Sequence, residues 1–172
     1  MRFMDIYDLI KRRKSVRSYL PRDVEEEKLE RVLNAGRLAP SAGNRQEWRF
    51  IVVKDADTRK RLAAASNHAF IAEAPVIIVC CAETDKHVMP CGLPSFPIDV
   101  AIAIDHITLA AVAEDLGTCW IGGFNAEKAK EVIGGPENVV VVELLPLGYP
   151  ADPSTAQKNR KTLKEIVRYE NW

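Results

Sequence analysis

Apolar residues along the chain fall into alternating helical and extended spacings. Ile6, Leu9 and Ile10 mark a first helix that runs into the cations of Arg12 to Arg17. Asp23 with Glu26 reads as a capping box, predicting a second helix with a buried stripe of Leu29, Val32 and Leu33 and an end near Gly36. Trp48 to Val53 reads as a strand and Ala56 to Ala65 as a short helix. Pro75 to Ala82 is a continuous apolar run, the pattern of a strand covered on both faces. Pro90 to Pro97 reads as a loop. Ile98 to Leu116 is apolar almost all round, with Ile102, His106, Leu109 and Ala113 on one stripe and Val100, Ile104, Ile107 and Ala111 on another. Such a helix belongs at the centre of a protein or in an interface. Thr118 to Ile121 is a strand leading into Gly122-Gly123, Asn125 caps a helix to about Ile133, and Val139 to Leu147 is a final long strand. From Tyr149 to Asn159 the chain is polar and irregular, before Thr162 and Glu165 cap a last turn. A tail without its own core is expected to lie across a neighbour.

No internal repeat or composition break divides these elements, so residues 1–172 are read as one domain, with 149–172 as an extension. With 47% hydrophobic and 28% charged residues, the chain can bury a sizeable core. Its 24 basic residues balance 24 acidic ones, which argues against nucleic acid as the main partner and makes any cation cluster a local feature. The N-terminal residues lack a leader-like apolar run. The stretches taken as the longest apolar ones, Ala74 to Ala82 and Val139 to Val142, are too short to span a bilayer, so a cytoplasmic protein without a membrane partner is expected. The cysteines at 80, 81, 91 and 119 lack metal-ligand spacing, and no metal is expected. Cys80, Cys81 and Cys119 read as buried fillers and Cys91 as exposed. His106 reads as an interior histidine, and His68 as a surface residue that could reach a pocket mouth.

Two segments carry candidate chemistry. Arg12-Arg13-Lys14-Ser15-Val16-Arg17 gathers four cations and a hydroxyl, suiting a phosphate, although such a run on a helix is usually a solvated face. Ala39-Pro40-Ser41-Ala42-Gly43-Asn44-Arg45-Gln46-Glu47-Trp48 sets amides beside an aromatic. Read alone it is a loop before a strand, with Ser41 and Asn44 making local turn bonds. A second cation cluster, Lys158, Arg160 and Lys161, follows the last strand, and two clusters can converge on one phosphate.

The order of these blocks resembles the flavin-binding signature of the nitroreductase family: Arg-Arg-Ser-x-Arg, then Pro-Ser-x-x-Asn-x-Gln-Pro-Trp. It extends through Leu116-Gly117-Thr118-Cys119-Trp120-Ile121-Gly122-Gly123-Phe124 to a closing pair of cations. The resemblance implies an α+β fold with a central mixed, mostly antiparallel sheet flanked by helices, in an intertwined homodimer with FMN at the interface. It implies first flavin contacts at Arg13, Lys14, Ser15 and Arg17, partner-subunit contacts at Pro40, Ser41, Ala42, Asn44 and Gln46, and further contacts at Ile121, Gly122, Gly123, Arg160 and Lys161. Gly122 and Gly123 would pass the reactive N5, Arg17 would stabilise the reduced ring, and residues 149–172 would wrap the partner. The implied activity is ping-pong hydride transfer from NAD(P)H through FMN to a nitroaromatic, a quinone or a similar small acceptor, with no side chain acting as acid or base. Dehalogenation, dehydrogenation and flavin fragmentation are alternatives within the family, and a flavin- or phospholigand-binding module without turnover is the alternative outside it. Lys14 stands where Arg is common, Glu47 replaces proline, and Gly122 is Glu in some larger members. Only Glu83 to Pro97 fills the interval where longer members carry a helical excursion over the substrate.

Overall fold

The computed structural model describes residues 5–154 and 158–172. The N-terminal residues 1–4, read for a leader, and residues 155–157 of the irregular segment lie outside these. The described elements are α1 (Ile6–Arg12), α2 (Glu26–Arg37), β1 (Trp48–Val53), α3 (Ala56–Ser66), β2 (Val76–Glu83), α4 (Ser95–Ala113), β3 (Gly117–Thr118), α5 (Ala126–Ile133), β4 (Val139–Gly148) and α6 (Leu163–Ile166).

The sheet runs β1-β2-β4-β3 with every neighbour antiparallel. β2 lies at its centre and is buried at every position but Glu83, as its unbroken apolar run predicts. One face packs Val76, Ile78, Cys80, Leu145 and Leu147 against Leu29 and Val32 of α2 and Val100, Ile104 and Ile107 of α4. The other packs Ile77, Val79, Cys81 and Leu144 against Leu62 of α3 and Ala129 of α5. The β2–β4 register slips between Cys80 and Cys81, a bulge that pairs Cys80 with Glu143 and Cys81 with Val141. This α+β architecture is the predicted class.

Several boundaries differ from the sequence reading. The Asp23–Glu26 capping box does not form: Glu25 is the N-cap, and α2 starts at Glu26. The helix ends at Arg37, near Gly36 as expected. Gly36 itself lies in the last turn, buried where a Cβ would come within 2.8 Å of Ile107, so it serves close helix packing. α4 begins at Ser95 rather than Ile98, with Pro97 in its first turn, where a missing N–H breaks no helical bond. The strand expected over Thr118 to Ile121 reduces to Gly117–Thr118 plus a single bridge from Ile121 to Leu144. At 19 residues and mean hydropathy 1.6, α4 is by length and composition long enough to cross a bilayer, so the longest apolar stretch is not Ala74 to Ala82. Its sheet-facing stripe is instead buried in the core. His106 is not interior either, since it lines an open groove of about 520 Å³ on the outer face of α4 with Pro97, Ile98, Ala101, Ile102 and Asp105.

Candidate functional site

The first helix runs into the cations as far as Arg12, and beyond it the cation run is not helical. α1 closes at Arg13, whose N–H returns to the Leu9 carbonyl at 2.9 Å, and the chain then straightens. Val16 N–H donates to the Thr118 carbonyl at 2.9 Å, and Ser15 bridges Thr118 in parallel. Gly117 permits this approach, because a Cβ there would sit 2.5 Å from Val16 Cγ2. In extended chain alternate residues share a side. Val16 is buried, while Lys14 Nζ donates to the carbonyls of Asp152 at 2.8 Å and Ser154 at 2.5 Å. Arg13, Ser15 and Arg17 gather instead near Cys119: the Ser15 side chain bonds the thiol, and both arginines act on its titration, although burial, the largest influence, raises it.

The second cluster joins here through Lys158. Its ammonium donates to the Ile10 carbonyl at the end of α1. Its pKa is lowered by desolvation first, then by the nearby charges of Arg13 and Arg160. Among the described residues, Arg13, Arg17, Lys158 and Arg160 have no carboxylate partner. Crowded cations without a counter-charge have the chemistry to hold an anion. Lys161 is exposed and makes no recorded contact among the described residues.

Beside this cluster run Gly122 and Gly123, both exposed. They are fixed by the paired bonds between Ile121 and Leu144, at 3.0 and 3.2 Å. A Cβ at Gly122 would lie 3.6 Å from Glu143 Oε2, and one at Gly123 would lie 3.5 Å from His68 Nε2. Glu143 Oε1 is buried without a hydrogen-bond partner, and burial pushes the carboxyl up to about 7.

The amide loop lies elsewhere. Ser41 precedes a single 3-10 turn, Ala42–Asn44, in which Gly43, Asn44 and then Gln46 all take positive φ. Backbone strain of this kind persists only where its surroundings hold it. Ala42 N–H donates to both oxygens of buried Asp99, at 3.1 and 3.2 Å. Glu47, also buried, accepts from Ser95 Oγ at 3.3 Å and from Arg45 at 3.4 Å. Both carboxylates stand at the N-terminal end of α4, where the helix dipole favours negative charge. Ser41 Oγ accepts from Gln46 N–H at 3.0 Å, and Gln46 Nε2 donates to Asn44 Oδ1 at 3.0 Å, so the local turn bonds do form. Asn44 Nδ2 and Gln46 Oε1 make no recorded bond among the described residues, and Pro40 is exposed.

Within one chain, therefore, Arg13, Ser15, Arg17, Arg160 and the Ile121–Gly123 segment come together, with Lys158 in place of Lys161, and Lys14 is engaged elsewhere. Pro40, Ser41, Ala42, Asn44 and Gln46 stand apart at the other end of α4. Asp99, which meets the loop, and Ala113, where α4 ends, are separated by about 21 Å at the helical rise. Sequence reasoning missed Asp99, Glu47 and Glu143. The first had a signal, a carboxylate on the first turns of a mostly apolar helix.

The nitroreductase family model matches residues 10–72 and 64–149. The chain is 36% identical over 149 residues to an Archaeoglobus fulgidus protein provisionally named NADH dehydrogenase/NAD(P)H nitroreductase, covering 84% of each. A solved nitroreductase family protein from Clostridium difficile 630 superposes with a TM-score of 0.88 at 36% identity, over 98% of this chain and 100% of that one. An FMN-dependent nitroreductase from Clostridium difficile R20291 gives 0.84 at 28% identity, over 95% and 98%. This chain belongs to the nitroreductase family.

Proposed function

We propose that the protein is an NAD(P)H-dependent flavin oxidoreductase holding FMN between two copies of the chain, and passing a hydride to a nitroaromatic, a quinone or a similar small acceptor. The observation that carries this is the division of the site. One chain gathers an anion cradle, without a carboxylate partner among the described residues, and a glycine pair towards one end of α4, and holds the amide loop at the other, about 21 Å of helix away. A homodimer in which the loop of each subunit meets the cradle of the other reunites them. Arg13, Lys158 and Arg160 would hold the phosphate, Ser15 the phosphate or ribityl chain, and Asn44 and Gln46 of the partner the ring edge. Lys14 and Lys161 would lie outside these direct contacts. When bound, FMN supplies the hydride chemistry.

The surfaces left bare within one chain fit the same assembly. α1 has no buried residue, with Ile6 and Ile10 exposed, the outer groove of α4 is open, and the tail leaves Leu163, Ile166, Tyr169 and Trp172 exposed. Residues 149–172 would wrap the partner, and the assembly is read as a cytoplasmic homodimer.

Mass analysis of flavin released from the purified protein tests the cofactor. FMN is expected, and FAD would refute the phosphate assignment, since no Gly-x-Gly-x-x-Gly stretch is present for a pyrophosphate. Anaerobic bleaching by NADH or NADPH tests turnover, and a protein that stays yellow is a binder only. Mixed dimers test the division. One subunit carrying Arg13→Ala and the other Ser41→Ala with Asn44→Ala should leave one intact and one doubly damaged site, so close to one FMN binds per dimer. Equal weak binding at two sites would place each pocket within one chain.

A further inference from the structure

Glu143 is unlike the other acids near the cradle. The β2–β4 bulge sets it opposite Cys80, its carboxylate lies against Gly122, and its Oε1 is buried without a donor. Among the described residues no ion pair reaches it. Cys80 on β2 and Cys119 beyond β3 both feel its charge, and burial raises both thiols, keeping them neutral. Arg17 acts on Cys119, whereas burial is what raises Glu143. His68 stands on the other side of the glycine pair, beside Gly123. A buried carboxyl without donor or cation is disfavoured as a carboxylate, and a second negative charge nearby disfavours it further.

We propose that Glu143 stores a proton beneath Gly122, taking it up when the site is reduced and releasing it when the acceptor is reduced. The proposal rests on the flavin reading above, in which Gly122 lies beside the reacting ring. The steps balance. NAD(P)H delivers two electrons and one proton as a hydride and leaves as NAD(P)+. The site gains one negative charge, and the Glu143 carboxylate takes one proton from water. A quinone then accepts a hydride and the Glu143 proton, leaves as the quinol, and the carboxylate is restored. Burial has already moved this carboxyl up to about 7, so the exchange falls within a working pH range.

The test is the midpoint potential of the FMN-loaded protein from pH 5.5 to 9, measured against reference dyes, for wild type and Glu143→Gln. One extra proton per two electrons makes the wild-type reduction equilibrium fall tenfold more per pH unit than that of the Gln variant, or about 30 mV, over a window opening near pH 7. Below that window the two profiles should run parallel. Glu143→Asp keeps a carboxyl, and should keep a steeper segment with a displaced onset. If the Gln variant fails to fold, the Asp variant decides: a displaced onset supports the proposal and an unmoved one overturns it. FMN-loaded variants with profiles parallel to wild type throughout overturn the role of Glu143 alone. Protein that neither retains nor takes up FMN overturns the flavin reading and the proposal with it.

Discussion

The two ends of α4 solve opposite problems. At its N-terminal end the amide loop is complete: Ala42 is tied to Asp99, Glu47 to Ser95 and Arg45, and Ser41, Asn44 and Gln46 to one another. Its strained backbone is held by buried charge without any bound ligand. At the C-terminal end the reverse is true. Among the described residues, Arg13, Lys158 and Arg160 crowd together without a carboxylate, and Glu143 Oε1 is buried without a donor. One end is built for presentation, whereas the other is left unbalanced for a ligand to finish. Mutations should therefore separate binding from stability according to the end they strike.

The largest effect is expected at the unbalanced end. On the proposed function, Arg13→Ala would remove a charge-assisted phosphate contact of about 1.5–3 kcal/mol, weakening FMN binding by about one to two decades in a fluorescence titration. Because Arg13 has no carboxylate partner to abandon among the described residues, thermal stability of the FMN-free protein should stay level or rise slightly. A marked fall in Tm without FMN would break the comparison.

Asp99→Ala should behave in the opposite way. It leaves the Ala42 N–H without its acceptor, which costs about 1–3 kcal/mol of stability in denaturant unfolding even without FMN. Asp99→Asn keeps one acceptor oxygen and should lose clearly less. Equal losses would mean that Asp99 acts through packing rather than as an acceptor.

Much of this plan was legible in the sequence. An unbroken apolar run placed β2, an apolar run interrupted only by Glu143 placed β4, and Asn125 capped α5 by accepting from Lys128 N–H, because local patterns dominate there. The capping box at Thr162 and Glu165 also formed, in a segment whose neighbours impose nothing else. The box at Asp23 did not, and tertiary contacts explain why. Glu25 is drawn off by the Tyr149 hydroxyl and Arg22, which hold its carboxyl down at about 2. The helical reading of the cation run failed beyond Arg12 for a similar reason, since pairing with Thr118 overrides local helix preference. At the site, the residue types were readable but the engagement of Lys14 with the Asp152 and Ser154 carbonyls was not, because it joins positions far apart in the chain.

The smallest effect tests whether the unbalanced end carries a stability cost of its own. The Glu143 carboxyl is raised by burial from 4.5 to about 7. Between those values the unfolded chain has released the proton while the folded chain keeps it, so the folded state binds more protons and stability falls as pH rises through the window. Below pH 4.5 both states are protonated and the effect vanishes, and above about 7 it levels off. Glu143→Gln, neutral at every pH, should therefore match wild type near pH 4.5 and exceed it at pH 8. Solvent screening of this half-buried group holds the gain to about 1 kcal/mol, or about 2–4 °C in Tm at fixed protein concentration. Excess FMN should enlarge the gap for wild type at high pH if the anion cradle and the carboxyl share one site. A gain that is the same at pH 5 and pH 8 would show that Glu143 affects packing alone, and that the charge imbalance at this end lies wholly in the cations.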